Sequence, residues 1–165
     1  MNLLVTVGSL PYALDRLVTA VDHWAAEHPD WTVNQQVGYS TVMPRHAREA
    51  FPFCPFRHFQ GLFDEADVVV SHGSAGPILG ARRRGLPIVL VPRQERFGEC
   101  YNDHQVETCE AIRGESTMRE IVLEIDDLPG AIERAARKRQ GRQSYESHRQ
   151  KQQMVAVIRD FLAQG

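Results

Sequence analysis

The chain opens on an apolar run, Leu3-Leu4-Val5-Thr6-Val7, that stops at Gly8-Ser9. A short continuous apolar run bounded by a turn signal reads as a buried strand. The period then changes. Leu14, Leu17, Val18, Val21 and Ala25 recur at helical spacing and predict a helix over Leu14–Glu27. Thr32–Val37 reads as a second strand. Residues 39–57 carry Pro44, Pro52 and Pro55 with several aromatics and read as irregular, a stretch long enough to suggest a functional or interface role. Phe59–Glu65 is a short predicted helix, and Asp67-Val68-Val69-Val70-Ser71 is the clearest strand. A glycine-rich turn, a helix to about Arg84, a strand over Ile88–Pro92, a loop over Arg93–Tyr101 and a helix over Asn102–Ile112 follow. Ile121–Glu124 is the last expected strand, and Leu128–Arg139 and Ser144–Ala163 are expected helices. No internal repeat is evident. Apolar strands alternating with helices imply an α/β, Rossmann-like open parallel sheet with helices on both faces and a C-terminal helix.

Ligands of such sheets bind at the carboxyl ends of the strands, where loops enter helices. Ser71-His72-Gly73-Ser74-Ala75-Gly76-Pro77 stands in that position. Small residues let the backbone approach a ligand, and a helix N-terminus presents unpaired N–H groups with partial positive charge. Pro77 fits a first helical turn, where a missing N–H costs nothing. The turn suits a phosphate or diphosphate; the alternative is an ordinary tight turn. It is neither a Walker A loop nor a regular Gly-x-Gly-x-x-Gly. His72 is either a hydrogen-bonded structural residue or a donor to phosphate. Asn102-Asp103-His104-Gln105 follows the next strand on the same rim. Asn102 or Asp103 suits an N-cap, and Asp103, His104 and Gln105 carry donors and acceptors for sugar hydroxyls. Gly8-Ser9, after the first strand, is a third element of the rim.

Composition narrows the class. With 165 residues, 42% hydrophobic and 24% charged, the chain can bury a core of its own. The net charge of −2 supplies no field for wrapping nucleic acid. That balance hides an asymmetry. Residues 1–130 carry eleven basic and eighteen acidic side chains; residues 131–165 carry eight basic and three acidic. A basic tail on an acidic body reads as a solvated helix face, or as a surface that docks to a membrane or a partner. Val155, Ile158 and Leu162 form an apolar stripe within it. No apolar run is long enough to span a bilayer, and the N-terminus lacks a signal-peptide pattern. A cytoplasmic setting follows, with Cys54, Cys100 and Cys109 as reduced thiols in no metal-binding spacing.

Taken together, Ser71–Gly76, Gly85-Leu86-Pro87-Ile88-Val89-Leu90-Val91-Pro92 and Asn102–Gln105 resemble the C-terminal, donor-binding half of GT-B glycosyltransferases of family 28. Val5–Ser9 with Asp15-Arg16-Leu17-Val18 is similar to the catalytic subunits of two-chain members, including the eukaryotic dolichol-linked N-acetylglucosaminyltransferase. Pro92–Glu99, leading to Asn102–Gln105, looks most like the bacterial exopolysaccharide branch. The resemblance spans about residues 3–125. It implies a nucleotide-sugar donor site of one half of a GT-B architecture: a donor-binding domain over residues 1–128 and a basic helical extension over 129–165, packed on or beside it.

The resemblance assigns a UDP-sugar as substrate. His72, Gly73, Ser74, Ala75 and Gly76 would hold the diphosphate, Gly8 and Ser9 would line the cleft near it, and His104 and Gln105 would meet the sugar hydroxyls, with Asn102 and Asp103 as further substrate-binding candidates. Asp103 and His104 are candidates for the general base, which in single-chain relatives tends to come from the other domain. Many relatives bind the ribose with a Glu in the helix after the glycine turn; here Gly80 or Ala81 stands near that position. No metal or other cofactor is implied. The missing half implies a membrane-anchored, acceptor-binding partner subunit and a polyprenyl-linked acceptor, with this chain peripheral at the inner face of the membrane. The competing readings are a non-catalytic nucleotide-binding module, a structural subunit that stabilises a membrane partner, and a self-contained small enzyme.

Overall fold

A computed structural model describes residues 1–114, 116 and 118–139 of the chain. Six strands form one sheet: β1 (Asn2–Thr6), β2 (Thr32–Gln36), β3 (Glu49–Phe51), β4 (Val68–Ser71), β5 (Ile88–Leu90) and β6 (Arg119–Ile121). Their order is β3-β2-β1-β4-β5-β6, and every neighbouring pair is parallel. The helices are α1 (Asp15–Glu27), α2 (Phe56–Glu65), α3 (Ala75–Arg84), α4 (His104–Ala111) and α5 (128–139).

Alternation along the central strands decides which helix covers which face. Leu3 and Val5 of β1, with Val68 and Val70 of β4, meet Leu17, Val18, Val21 and Trp24 of α1 and Leu128, Ala131, Ile132 and Ala135 of α5. Leu4, Val69, Ile88 and Leu90 point the other way, against Leu62 and Phe63 of α2, Ala81 of α3 and Cys109 of α4. Both faces are therefore covered, as a parallel sheet requires.

Three expectations need correction. The stretch over 39–57 is not wholly irregular: Glu49–Phe51 adds a strand beside β2, with Asn34 opposite Glu49. Three residues between prolines carry no alternation to reveal it. The helix expected at Phe59 starts at Phe56, because Pro55 ends the extended segment one residue earlier. The last strand is Arg119–Ile121 rather than Ile121–Glu124: its polar residues pair with the edge of β5, and Val122 is the buried apolar residue just beyond it.

The described part of the basic tail is held against the body. Glu120 of β6 receives both Arg134, at 3.0 Å, and Lys138, and Arg139 faces Asp67 at 3.6 Å. The helix expected over Ser144–Ala163 lies outside the described residues. Among the described residues no helix is long and apolar enough to cross a membrane.

Candidate functional site

The strand order reverses direction about β1 and β4. β2 and β3 extend to one side of this pair, β5 and β6 to the other, and the crevice beyond the carboxyl ends of β1 and β4 is the switch point of the sheet. A cavity of about 470 Å³ lies there.

One wall is the turn after β1. Gly8 takes φ +76°, a conformation that disfavours any residue with a Cβ. Its peptide is gripped by Gln36 at the end of β2. The Gly8 N–H donates to Gln36 Oε1 at 3.1 Å, and Gln36 Nε2 donates to the Gly8 carbonyl at 2.9 Å. Thr6 Oγ1 also donates to Gln36 Oε1, and Gln36 Nε2 also donates to the Pro52 carbonyl.

The facing wall is the turn after β4. His72 is buried, and its Nδ1 lies 3.3 Å from the Thr6 carbonyl. That contact needs the proton on Nδ1, which leaves Nε2 as an acceptor directed at Gly8. Burial pushes the imidazole down to about 4, so it is neutral at physiological pH. In that tautomer the neutral ring turns its proton to Thr6, the hydrogen-bonded structural alternative for His72. Gly73 follows, where a Cβ would stand 2.7 Å from Cys109 Sγ. Ser74, extended, precedes α3 without a side-chain cap on that helix. The first-turn amides of Ala75 and Gly76 are thus left for solvent or ligand.

The remaining wall is aromatic: Phe53, Phe56, Phe59 and Phe63, with Cys54 and Gln60. Gly80 completes it, where a Cβ would meet the Phe63 ring at 3.1 Å. No Asp, Glu, Lys or Arg is among the described lining residues. A charged ligand there meets backbone N–H groups and the α3 dipole.

Gly8, Ser9, His72, Ser74 and Gly76 thus share one cavity, with Gly73 and Ala75 beside it. Asn102, Asp103 and His104 do not line it: all three are exposed on the loop and first turn of α4, the His104 side chain 77% so. Asp103 precedes α4 without capping it, since its Oδ1 accepts the Glu95 N–H. Gln105 turns inward, and its Oε1 accepts the N–H of Gly73 at 3.2 Å and of Arg93 at 3.1 Å. It ties the turns after β4 and β5 together.

Two contributors escaped sequence reasoning. Gln36 closes β2 on the same rim, so asking what stands at the end of every strand finds it. Arg93 follows β5 and is fully buried. Its guanidinium donates to the carbonyls of Val7, Tyr12, Ala13 and Glu99 at 2.9–3.1 Å, joining the loops after β1 and β5. The Arg16–Glu99 ion pair, at 2.8 Å, lies alongside. A lone Arg after a strand gives no hint of burial.

Residues 2–161 match the family described as the glycosyltransferase family 28 C-terminal domain. The UDP-N-acetylglucosamine transferase subunit ALG13 of Mus musculus is 33% identical over 101 residues, 59% of this chain. Its Homo sapiens counterpart is 28% identical over 99 residues, 58% of this chain. The matched region makes up 8% of the length of each of these relatives. Among solved structures, the kitacinnamycin glycotransferase aligns with TM-score 0.58 and 23% identity over 85% of this chain and 37% of its own. MurG of Acinetobacter baumannii aligns with TM-score 0.54 and 18% identity over 84% of this chain and 45% of its own. These likenesses show a shared fold, the Rossmann-like half of a GT-B architecture. With a family match running nearly the whole length, the chain belongs to the glycosyltransferase family 28 C-terminal domain family.

Proposed function

We propose that this chain is the donor-binding catalytic subunit of a two-component glycosyltransferase. It moves a sugar from a UDP-sugar to a polyprenyl-linked acceptor in bacterial exopolysaccharide synthesis, with inversion and without a metal. The observation that carries this reading is the cavity at the switch point. There the Gly8–Ser9 turn and the uncapped N-terminus of α3 face an aromatic wall. The polar end suits a diphosphate and the aromatic end a base.

The acceptor oxygen attacks the anomeric carbon from the side opposite the diphosphate. The bond from that carbon to the β-phosphate oxygen breaks, and its electron pair leaves with UDP. The α3 dipole and the free amides of its first turn stabilise the charge that develops. The acceptor's proton passes to a general base. The base is not assigned to this chain, because Asp103 and His104 stand outside the cavity.

The partner is an acceptor-binding subunit anchored in the membrane, which keeps this chain at the inner face. Two observations support it. The mouse relative is named as a subunit. Tyr39, Phe53, Phe56, Phe97 and Tyr101 are also exposed in the segments that follow β2, β3 and β5, at the carboxyl ends of the strands.

Calorimetric titration tests the reading. UDP is expected to bind more tightly than AMP or NAD, and the reverse order overturns it. Gly76→Asp is the matching variant. A Cβ at Gly76 meets nothing within 4 Å, so the fold tolerates the change while a carboxylate enters the diphosphate end. Transfer that survives Gly76→Asp in the complex makes this chain a non-catalytic, structural or nucleotide-binding subunit.

A further inference from the structure

Gln36 uses all of its hydrogen-bonding capacity on the turn after β1 and on the carbonyl of Pro52, just after β3. Its Oε1 accepts from Thr6 Oγ1 at 2.6 Å and from the Gly8 N–H at 3.1 Å. Its Nε2 donates to the Gly8 carbonyl at 2.9 Å and to the Pro52 carbonyl at 2.8 Å. An amide makes two donations and accepts on one oxygen, so this side chain has no N–H to spare for a ligand. The pattern also fixes which end is oxygen. Thr6 Oγ1 and Gly8 N are donors, and the two carbonyls can only accept. Gln36 is buried, although it lines the cavity.

The consequence falls on Ser9. Because the Gly8 N–H is spent on Gln36, with a longer contact to Thr6 Oγ1 at 3.4 Å, the next amide of the turn is the one left to meet a ligand. The Ser9 N–H has no protein partner among the described residues. The same clamp reaches the Pro52 carbonyl, next to Phe53 on the aromatic wall. One side chain therefore sets the spacing between the phosphate end of the cavity and its base end.

We infer that Gln36 is a positioning residue for the donor. It holds the Gly8 peptide so that the Ser9 amide and the N-terminus of α3 address one diphosphate. This inference rests on the donor-site reading above.

The test pairs two ligands with one unliganded measurement. Gln36→Met keeps length and charge and removes all four bonds. Titrations with UDP and with uridine are compared in both proteins. The preference for UDP over uridine is expected to fall about tenfold, the size of one lost hydrogen bond to a charged group. A residue that only supports the fold lowers both affinities together and leaves that ratio unchanged, an outcome that overturns the inference. Hydrogen exchange without ligand reads the clamp directly. The Gly8 amide is expected to lose protection in Gln36→Met while amides of β4 and β5 keep theirs; unchanged protection at Gly8 also overturns it. Gln36→Asn, which keeps an amide one methylene short, is read the same way if the Met variant does not fold. Wild-type protein that binds UDP no more tightly than uridine removes the donor reading itself, and the inference with it.

Discussion

The ring of His72 stands where a side chain on Gly8 would go. A Cβ built on Gly8 meets His72 Nε2 at 2.4 Å and Cε1 at 2.5 Å. The turns after β1 and β4 are therefore in direct contact beneath the cavity. The contact is possible because Gly8, at φ +76°, has no Cβ to meet the ring.

Gly8→Ala has two costs at this contact. The residue is forced into a left-handed conformation, and its methyl group collides with a buried ring. The strain and the displaced contact together are expected to lower stability by about 1–3 kcal/mol. Urea unfolding at equilibrium measures it. A second change, His72→Ala, removes the collision and leaves the backbone strain. The double variant should then lose less than the two single changes added together. Strict additivity overturns the contact as the cause.

His72 also sets a pH dependence. Its pKa falls from 6.5 to about 4 because the ring is buried. Above 6.5 neither the folded nor the unfolded chain holds this proton. Between 6.5 and about 4 the unfolded chain takes it and the folded chain does not, so stability drops as pH falls through that window. The full loss is about 3 kcal/mol once pH reaches the folded pKa. Unfolding curves from neutral pH downward measure it, with His72→Gln expected to flatten the slope. An equal slope in the variant assigns the effect to other groups.

How much of this was legible depends on which signal each residue carries. β1 and β4 are continuous apolar runs that end in glycine turns, and their position on one rim follows from strand–helix alternation. Gly8, Ser9 and the turn over Ser71–Gly76 are found that way. β3 is not, because Glu49-Ala50-Phe51 has too few residues to show a period. Its placement beside β2 comes from the sheet, not from local preference. The aromatic wall was visible only as composition in a proline-rich stretch. Folding carries Phe53, Phe56 and Phe59 onto the cavity, a tertiary fact that spacing does not encode. Asn102–Gln105 shows the opposite case. The segment is polar and on the correct rim, yet helix geometry sends Gln105 inward and leaves His104 in solvent.

Arg93 is a buried cation whose role is to hold backbone. Arg93→Met keeps much of the volume and leaves the carbonyls of Val7, Tyr12, Ala13 and Glu99 without this donor. Stability is expected to fall by about 3–5 kcal/mol, the range for breaking a buried charged network. Arg93→Lys keeps the charge but not the planar fork and should fall between the two. A loss in Arg93→Met within the surface range of about 0.5 kcal/mol removes the clamp from the account.

Gln105 and His104 are neighbours in sequence with opposite expectations. Gln105 Oε1 accepts the N–H groups of Gly73 and Arg93, so Gln105→Ala leaves two turn amides without their partner. That change should cost about 1–3 kcal/mol and weaken UDP binding, because the Gly73 turn leads into α3. His104 is exposed and does not line the cavity, so His104→Ala should leave stability within about 0.5 kcal/mol and UDP affinity unchanged. Its effect belongs to the sugar. If His104 meets a sugar hydroxyl, the variant narrows the gap between UDP-sugar and UDP affinity and leaves UDP itself alone. A uniform loss for both ligands shows that His104 acts through the fold, in which case the exposed start of α4 is scaffold rather than site.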